Sequence, residues 1–150
     1  MSAENKTLAR RVREEIWKLG KLEVADEIID ADCAAHVQDP ITPDFGRGPN
    51  GTRQLVSLYR SAFPDVHITI DDILAEGDKV MVRWTARGTH KGQLLHFAPT
   101  NQQVSVTGID VYRISRLKIQ ETWINWDALG FLQQLGAIPA LGQARGRQTS

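Results

Sequence analysis

Between Thr7 and Leu19 the apolar side chains Leu8, Val12, Ile16 and Leu19 return at three- and four-residue steps. That spacing gathers them on one face of a helix, and Gly20 is placed to end it. Leu22, Ala25, Ile28 and Ile29 share the face of a second, shorter helix. The chain then enters ADCAAHVQDPITPDFGRGPNG, whose prolines and glycines after Gln38 read as loop. Asn50 or Thr52 is positioned to cap a third helix, TRQLVSLYRSAF, with Leu55, Leu58 and Tyr59 as its stripe and Pro64 as its stop.

Beyond Pro64 the period falls from 3.6 to two. Val66, Ile68 and Ile70 alternate with His67, Thr69 and Asp71, and the turn 76–79 leads into VMVRWTARGTH, which predicts an antiparallel hairpin. VSVTGIDVYRI and KIQETWINW form a second hairpin around Ser115, Arg116 and Leu117. Asp127 then caps a final short helix, ALGFLQQLG. Helices first and strands second imply an α+β domain over residues 1–138: three N-terminal helices packed on one side of a curved antiparallel sheet of about four long strands. Residues 139–150 read as a flexible polar tail.

Pairing the last two strands through their turn sets Tyr112 opposite Gln120, Asp110 opposite Thr122 and Gly108 opposite Ile124, all on one face. Apolar bulk on the other face too, at Ile109, Val111 and Trp123, predicts a second covering layer, a homodimer or higher oligomer through the sheet. A curved sheet partly closed by helices forms a cone with an open mouth, suited to a hydrophobic small molecule.

Composition narrows the function classes. Lys plus Arg equals Asp plus Glu at 18 each, so the broad positive field that nucleic acid demands is missing. One cysteine, Cys33, excludes an internal disulfide and a thiolate-rich metal site. No signal core or membrane-length apolar run occurs, and the expected location is the cytoplasm, away from membranes. There is no His-x-His or His-Glu-x-x-His spacing, no glycine-rich phosphate loop, and no nucleophile elbow around Ser57, Ser61 or Ser105. Neither a metal nor another cofactor is expected.

FPDVHITIDDILAEGDKVMVRWTARGTHKGQL, APT, GIDVYRI, KIQETW and WDALGFLQQLG follow one another at spacings that resemble the SnoaL-like polyketide cyclases, from the first helix to Gly136. The resemblance implies the cone of the nuclear transport factor 2-like superfamily. It also implies a cofactor-independent enzyme that closes a ring in a polycyclic aromatic ester by an intramolecular aldol reaction. Similar ring-closing members place a histidine on the penultimate strand and an aspartate on the last; here these positions fall on Asp110 and Ile124. Limonene epoxide hydrolase, which shares the cone, also has an acid where this chain has Ile124, so neither mechanism carries over whole. The alternatives are a ring hydroxylase or epoxide hydrolase-like enzyme, and a binding or dimerisation module without chemistry.

Asp110, between Ile109 and Val111 on the inward face, is the expected proton carrier. His36, at the position where similar proteins have a His or Asn near the mouth, is the expected relay, and His90 in GTHKG is a further acid–base candidate at the rim. Tyr112 offers a phenol to a substrate carbonyl. Tyr59, Phe63, Trp84 and Trp126 offer flat walls, and Gln120, Thr122 and Ile124 complete the predicted lining. His67 reads as solvated and His96 as part of the entrance loop.

Overall fold

A computed structural model describes residues 2–139; the predicted tail from residue 140 onward lies outside the described residues. Helix α1 (Ser2–Arg11) continues as a π-helix, Val12–Lys18. Gly20, at φ +72°, ends it, and Arg60 donates to the carbonyls of Trp17 at 2.6 Å and Lys18 at 2.8 Å, two of the acceptors a helix end leaves open. Helix α2 is a single short segment, Val24–Ile28.

Strand β1 (Ile29–Gln38) follows at once, where the sequence reads mostly as loop. Helix α3 (Gly48–Ala62) begins earlier than predicted. Its N-cap is Arg47, without a side-chain bond, rather than Asn50 or Thr52; Pro49 occupies the first turn, where a missing N–H costs nothing. Strands β2 (His67–Glu76), β3 (Lys79–Thr89), β4 (Gln103–Ser115) and β5 (Lys118–Trp126) form the meander, and α4 (Ala128–Leu135) closes the domain.

The α+β cone is therefore as read from the sequence, with one extra strand. The sheet order is β1-β5-β4-β3-β2, antiparallel except that β1 runs parallel to β5. Strand β4 alternates without a break: Val104, Val106, Gly108, Asp110, Tyr112 and Ile114 are buried on the concave face. Helices α1 to α3 cover that face, and Ile16, Val56, Val80 and Val82 are fully buried between the layers. Each such aliphatic side chain stabilises the fold by about 1.5–3 kcal/mol.

The β4–β5 register differs from the predicted one by two residues. Asp110 pairs with Ile124 and Tyr112 with Thr122, because Arg116 and Leu117 form a two-residue turn with φ of 55° and 60° and an irregularity follows Arg113. A shift of two preserves facing, so Asp110, Tyr112, Thr122 and Ile124 do share the concave side. Gln120 does not join them. It is the extra residue between Ile119 and Glu121, and its amide donates to the carbonyl of Ser115 at 2.9 Å, while Ile119 takes the inward, buried place opposite Ile114.

Candidate active site

Between helices and sheet lies a narrow cavity of about 80 Å³ that opens to solvent. Its walls are mostly apolar, and six side chains are aromatic: Trp17 from the π-helix, Tyr59 and Phe63 from the end of α3, Trp84 from β3, Trp126 from β5 and Phe131 from α4. Tyr59, Trp126 and Phe131 meet at steep angles with centroids 5.3–6.2 Å apart, the edge-to-face arrangement that ring quadrupoles favour. Asp127 fixes α4 by accepting from Gly130 N at 2.9 Å, the capping role read from the sequence.

At the floor stands Arg13, only 2% exposed. Its Nε and Nη2 donate to Asp110 Oδ2 and Oδ1 at 2.7 and 2.9 Å. Its guanidinium lies 3.9 Å from the centroid of Trp84 and 4.9 Å from that of Trp17. The π-helix presents Arg13 and Trp17 together; such wide turns recur at functional sites. Burial works against the charge on Arg13, but Asp110's own charge and hydrogen bonds outweigh it and hold the guanidinium above its ordinary pKa.

Asp110 is fully buried and is not part of the cavity wall. Besides the two bonds from Arg13, it accepts from Trp84 Nε1 at 3.0 Å and from the Tyr112 hydroxyl at 2.5 Å, so both oxygens carry two donors. A carboxylate so occupied fixes Arg13 and has no free lone pair for a substrate proton. Gly108 makes this packing possible, since a Cβ there would stand 2.2 Å from Trp84 Cζ2. Tyr112 is buried behind Asp110, and burial followed by the Asp110 charge pushes its phenol well above the usual range. The expected substrate contact at Tyr112 is thus replaced by a structural one.

Of the residues expected to contact substrate, Tyr59, Phe63, Trp84 and Ile124 line the cavity, and Trp126 with them. Thr122 does not; its hydroxyl lies 3.8 Å from Cys33 Sγ. His36 is on the opposite, convex face, because β1 extends the sheet where a mouth loop was expected; it bonds Glu121 Oε2 at 2.7 Å and stacks on Trp123. His90 is also outside the cavity, fully buried and stacked on Phe63 at 5.2 Å. Its Nδ1 accepts from Thr100 N at 3.3 Å, and burial lowers its pKa. Among the described residues, no three His, Cys, Asp or Glu side chains gather as a metal centre requires.

Four charged residues of the cavity wall escape a reading of the sequence: Arg13, Asp39, Arg60 and Arg87. Arg13 sits one place from the Val12–Ile16 stripe and looks like a solvated helix position. Asp39, in the Pro-rich segment after β1, lines the cavity and accepts a hydrogen bond from the Tyr59 hydroxyl at 2.7 Å. An Asp followed by Pro in a turn is the only local signal for it.

A family model described as SnoaL-like polyketide cyclase matches residues 7–135. No curated protein matches the chain. Among solved structures, one from Acidithiobacillus ferrooxidans, provisionally named a polyketide cyclase, is 30% identical, with a TM-score of 0.77 over 91% of this chain and 97% of its own. AclR of Streptomyces galilaeus, provisionally named a hydroxylase, is 26% identical with a TM-score of 0.79 over 93% of this chain and 100% of its own. An NTF2-like protein of Burkholderia xenovorans is 15% identical with a TM-score of 0.68, over 90% of this chain and 98% of its own, a likeness of fold alone.

Proposed function

Because this chain belongs to the SnoaL-like polyketide cyclase family, we propose that its cavity performs cofactor-independent acid–base chemistry of the aldol type on a hydrophobic, polyketide-like molecule. The observation that carries the proposal is Arg13. Asp110 occupies Nε and Nη2, whereas Nη1 makes no hydrogen bond among the described residues and the side chain borders an aromatic slot. A fixed, desolvated cation at the floor of an apolar cavity stabilises the negative charge that develops when a proton leaves the carbon beside a carbonyl. One such preorganised donor is worth about 10²–10³ in rate. Asp110, Trp84 and Tyr112 contribute by holding the guanidinium, and the aromatic side chains of the wall offer faces to a flat substrate.

The test uses 1-tetralone, a flat ketone with exchangeable protons beside its carbonyl. Deuterium exchange in D2O, followed by proton NMR, reports enolisation, and quenching of tryptophan fluorescence reports binding. Wild-type protein is expected to bind the ketone and exchange it faster than buffer does. Arg13→Gln is expected to lose about 10²-fold of that rate. An unchanged rate in Arg13→Gln would refute the role of the cation. Ile124, a hydrocarbon facing Asp110 where similar enzymes carry an acid, favours a second reading, a ring hydroxylase or a binding protein without chemistry. Tight binding of the ketone without enhanced exchange would support it.

The homodimer is also proposed. On the convex face the register aligns Leu74, Met81, Val111, Trp123 and His36 in one row across all five strands. Leu74 and nearby Ile109 are 57% and 45% exposed. Arg113 and Glu121, beside the row, pair with each other at 3.4 Å, and a twofold contact sets one such patch against its own copy. Sedimentation should show a dimer that Val111→Arg dissociates; a monomeric wild type at micromolar concentration would refute it.

A further inference from the structure

With Ile124 at the cavity, the concave face of the last strand carries no acid, its Glu121 pairing with His36 on the convex face; Asp110 has no free lone pair, so the cavity needs another proton acceptor. Asp39 is the carboxylate that borders it. We infer that Asp39 and Tyr59 are the proton-transfer pair of this cavity, Asp39 as the base and Tyr59 as the hydroxyl that engages the substrate oxygen. The inference rests on the aldol-type reading above.

The two oxygens of Asp39 are differently used. Oδ1 accepts from Ile41 N at 2.8 Å and Thr42 N at 3.3 Å, which fixes the carboxylate in a turn. Oδ2 accepts only from hydroxyls, Tyr59 at 2.7 Å and Thr42 at 2.9 Å. A hydroxyl hydrogen swings about its C–O bond without displacing the ring or the backbone. Oδ2 can therefore be cleared, whereas three of the four donors on Asp110 are N–H groups with fixed directions. Burial, and after it the charge of Asp39, hold the Tyr59 phenol far above its ordinary pKa, so it remains a donor. The ring stands beside Trp17, 6.1 Å between centroids, and Trp17 in turn lies against Arg13. Base, hydroxyl and cation thus border one slot.

When a ketone enters, the Tyr59 O–H turns from Oδ2 to the carbonyl oxygen, and Oδ2 takes a proton from the adjacent carbon. The C–H electron pair becomes the enolate double bond, and its charge on oxygen is stabilised by Tyr59 and by the field of Arg13. The enolate carbon attacks a second carbonyl of the same molecule, forming one C–C bond. The new alkoxide takes the proton back from Asp39. The product is an isomer of the substrate, and nothing is oxidised or reduced.

The experiment is 1-tetralone exchange in Asp39→Asn and Tyr59→Phe beside Arg13→Gln, with fluorescence binding and thermal unfolding measured on each. Asn keeps an acceptor for the turn but is not a base, and Phe keeps the wall. Asp39→Asn should bind the ketone within about threefold of wild type and exchange it at least about 100-fold more slowly, the usual worth of a general base. Tyr59→Phe should slow exchange with binding retained. If Asp39→Asn exchanges at the wild-type rate while Arg13→Gln does not, this pair is wrong and the functional reading stands. If the wild type neither binds nor exchanges the ketone, that reading falls and the pair with it.

Discussion

Asp110→Asn tests the Arg13–Asp110 clamp most sharply. The side chains of both residues are at most 3% exposed, and the pair is bidentate at 2.7 and 2.9 Å. Replacing the carboxylate removes the only charge in contact with a buried guanidinium among the described residues and can turn an amide N–H toward the N–H of Arg13 or the hydroxyl of Tyr112. The Trp84 bond to the remaining carbonyl oxygen survives. Breaking one side of a buried ion pair costs about 3–5 kcal/mol, against a total stability of about 5–15 kcal/mol for a domain. At about 2–4 °C per kcal/mol for a chain of this size, the melting temperature should drop by about 6–20 °C. Urea unfolding at constant slope gives the free-energy loss directly. Adding Arg13→Met removes the stranded cation and should recover at least about half of the loss, a coupling that measures the pair. A loss under about 1 kcal/mol in the single variant, or a double variant weaker than the single one, would refute the clamp.

Gly108→Ala forces a methyl against the Trp84 ring, 2.2 Å from Cζ2, and should cost about 1–3 kcal/mol in urea unfolding while weakening ketone binding. Asp127→Ala removes the bond to Gly130 N and should cost about 1 kcal/mol, with Asp127→Asn nearly neutral. His90, neutral and buried with a lowered pKa, binds a proton more readily unfolded than folded. Stability should therefore be complete above the ordinary value of 6.5, fall as pH drops below it, and level off beneath the folded-state pKa. His90→Asn should flatten that slope, and an unchanged slope would refute the assignment.

Strand β4 was legible because its side chains alternate over its whole length, and alternation survives any error in its neighbours. The predicted turn was one residue too long and an irregularity added another, so the displacement was even; facing was correct for Asp110, Tyr112, Thr122 and Ile124 and failed at Ile119 and Gln120, beside the irregularity. Strand β1 was not legible. IDADCAAHVQ carries little β-branched or aromatic content, and its pairing with β5 makes it a strand. That misreading moved His36 from an expected mouth to the convex face.

The chain alone determines the order and period of its helices and of the four meander strands, the cap at Asp127 and the family they compose, because these depend on neighbours a few residues apart. The three-dimensional fold decides which polar groups face the cavity. Arg13 meets Asp110 across 97 positions and Tyr59 meets Asp39 across 20. No local pattern encodes such distances; they follow from how the helices are laid across a curved sheet. The same burial that makes Asp110 conspicuous as an inward acid surrounds it with donors, leaving proton transfer to a half-buried aspartate in a proline turn.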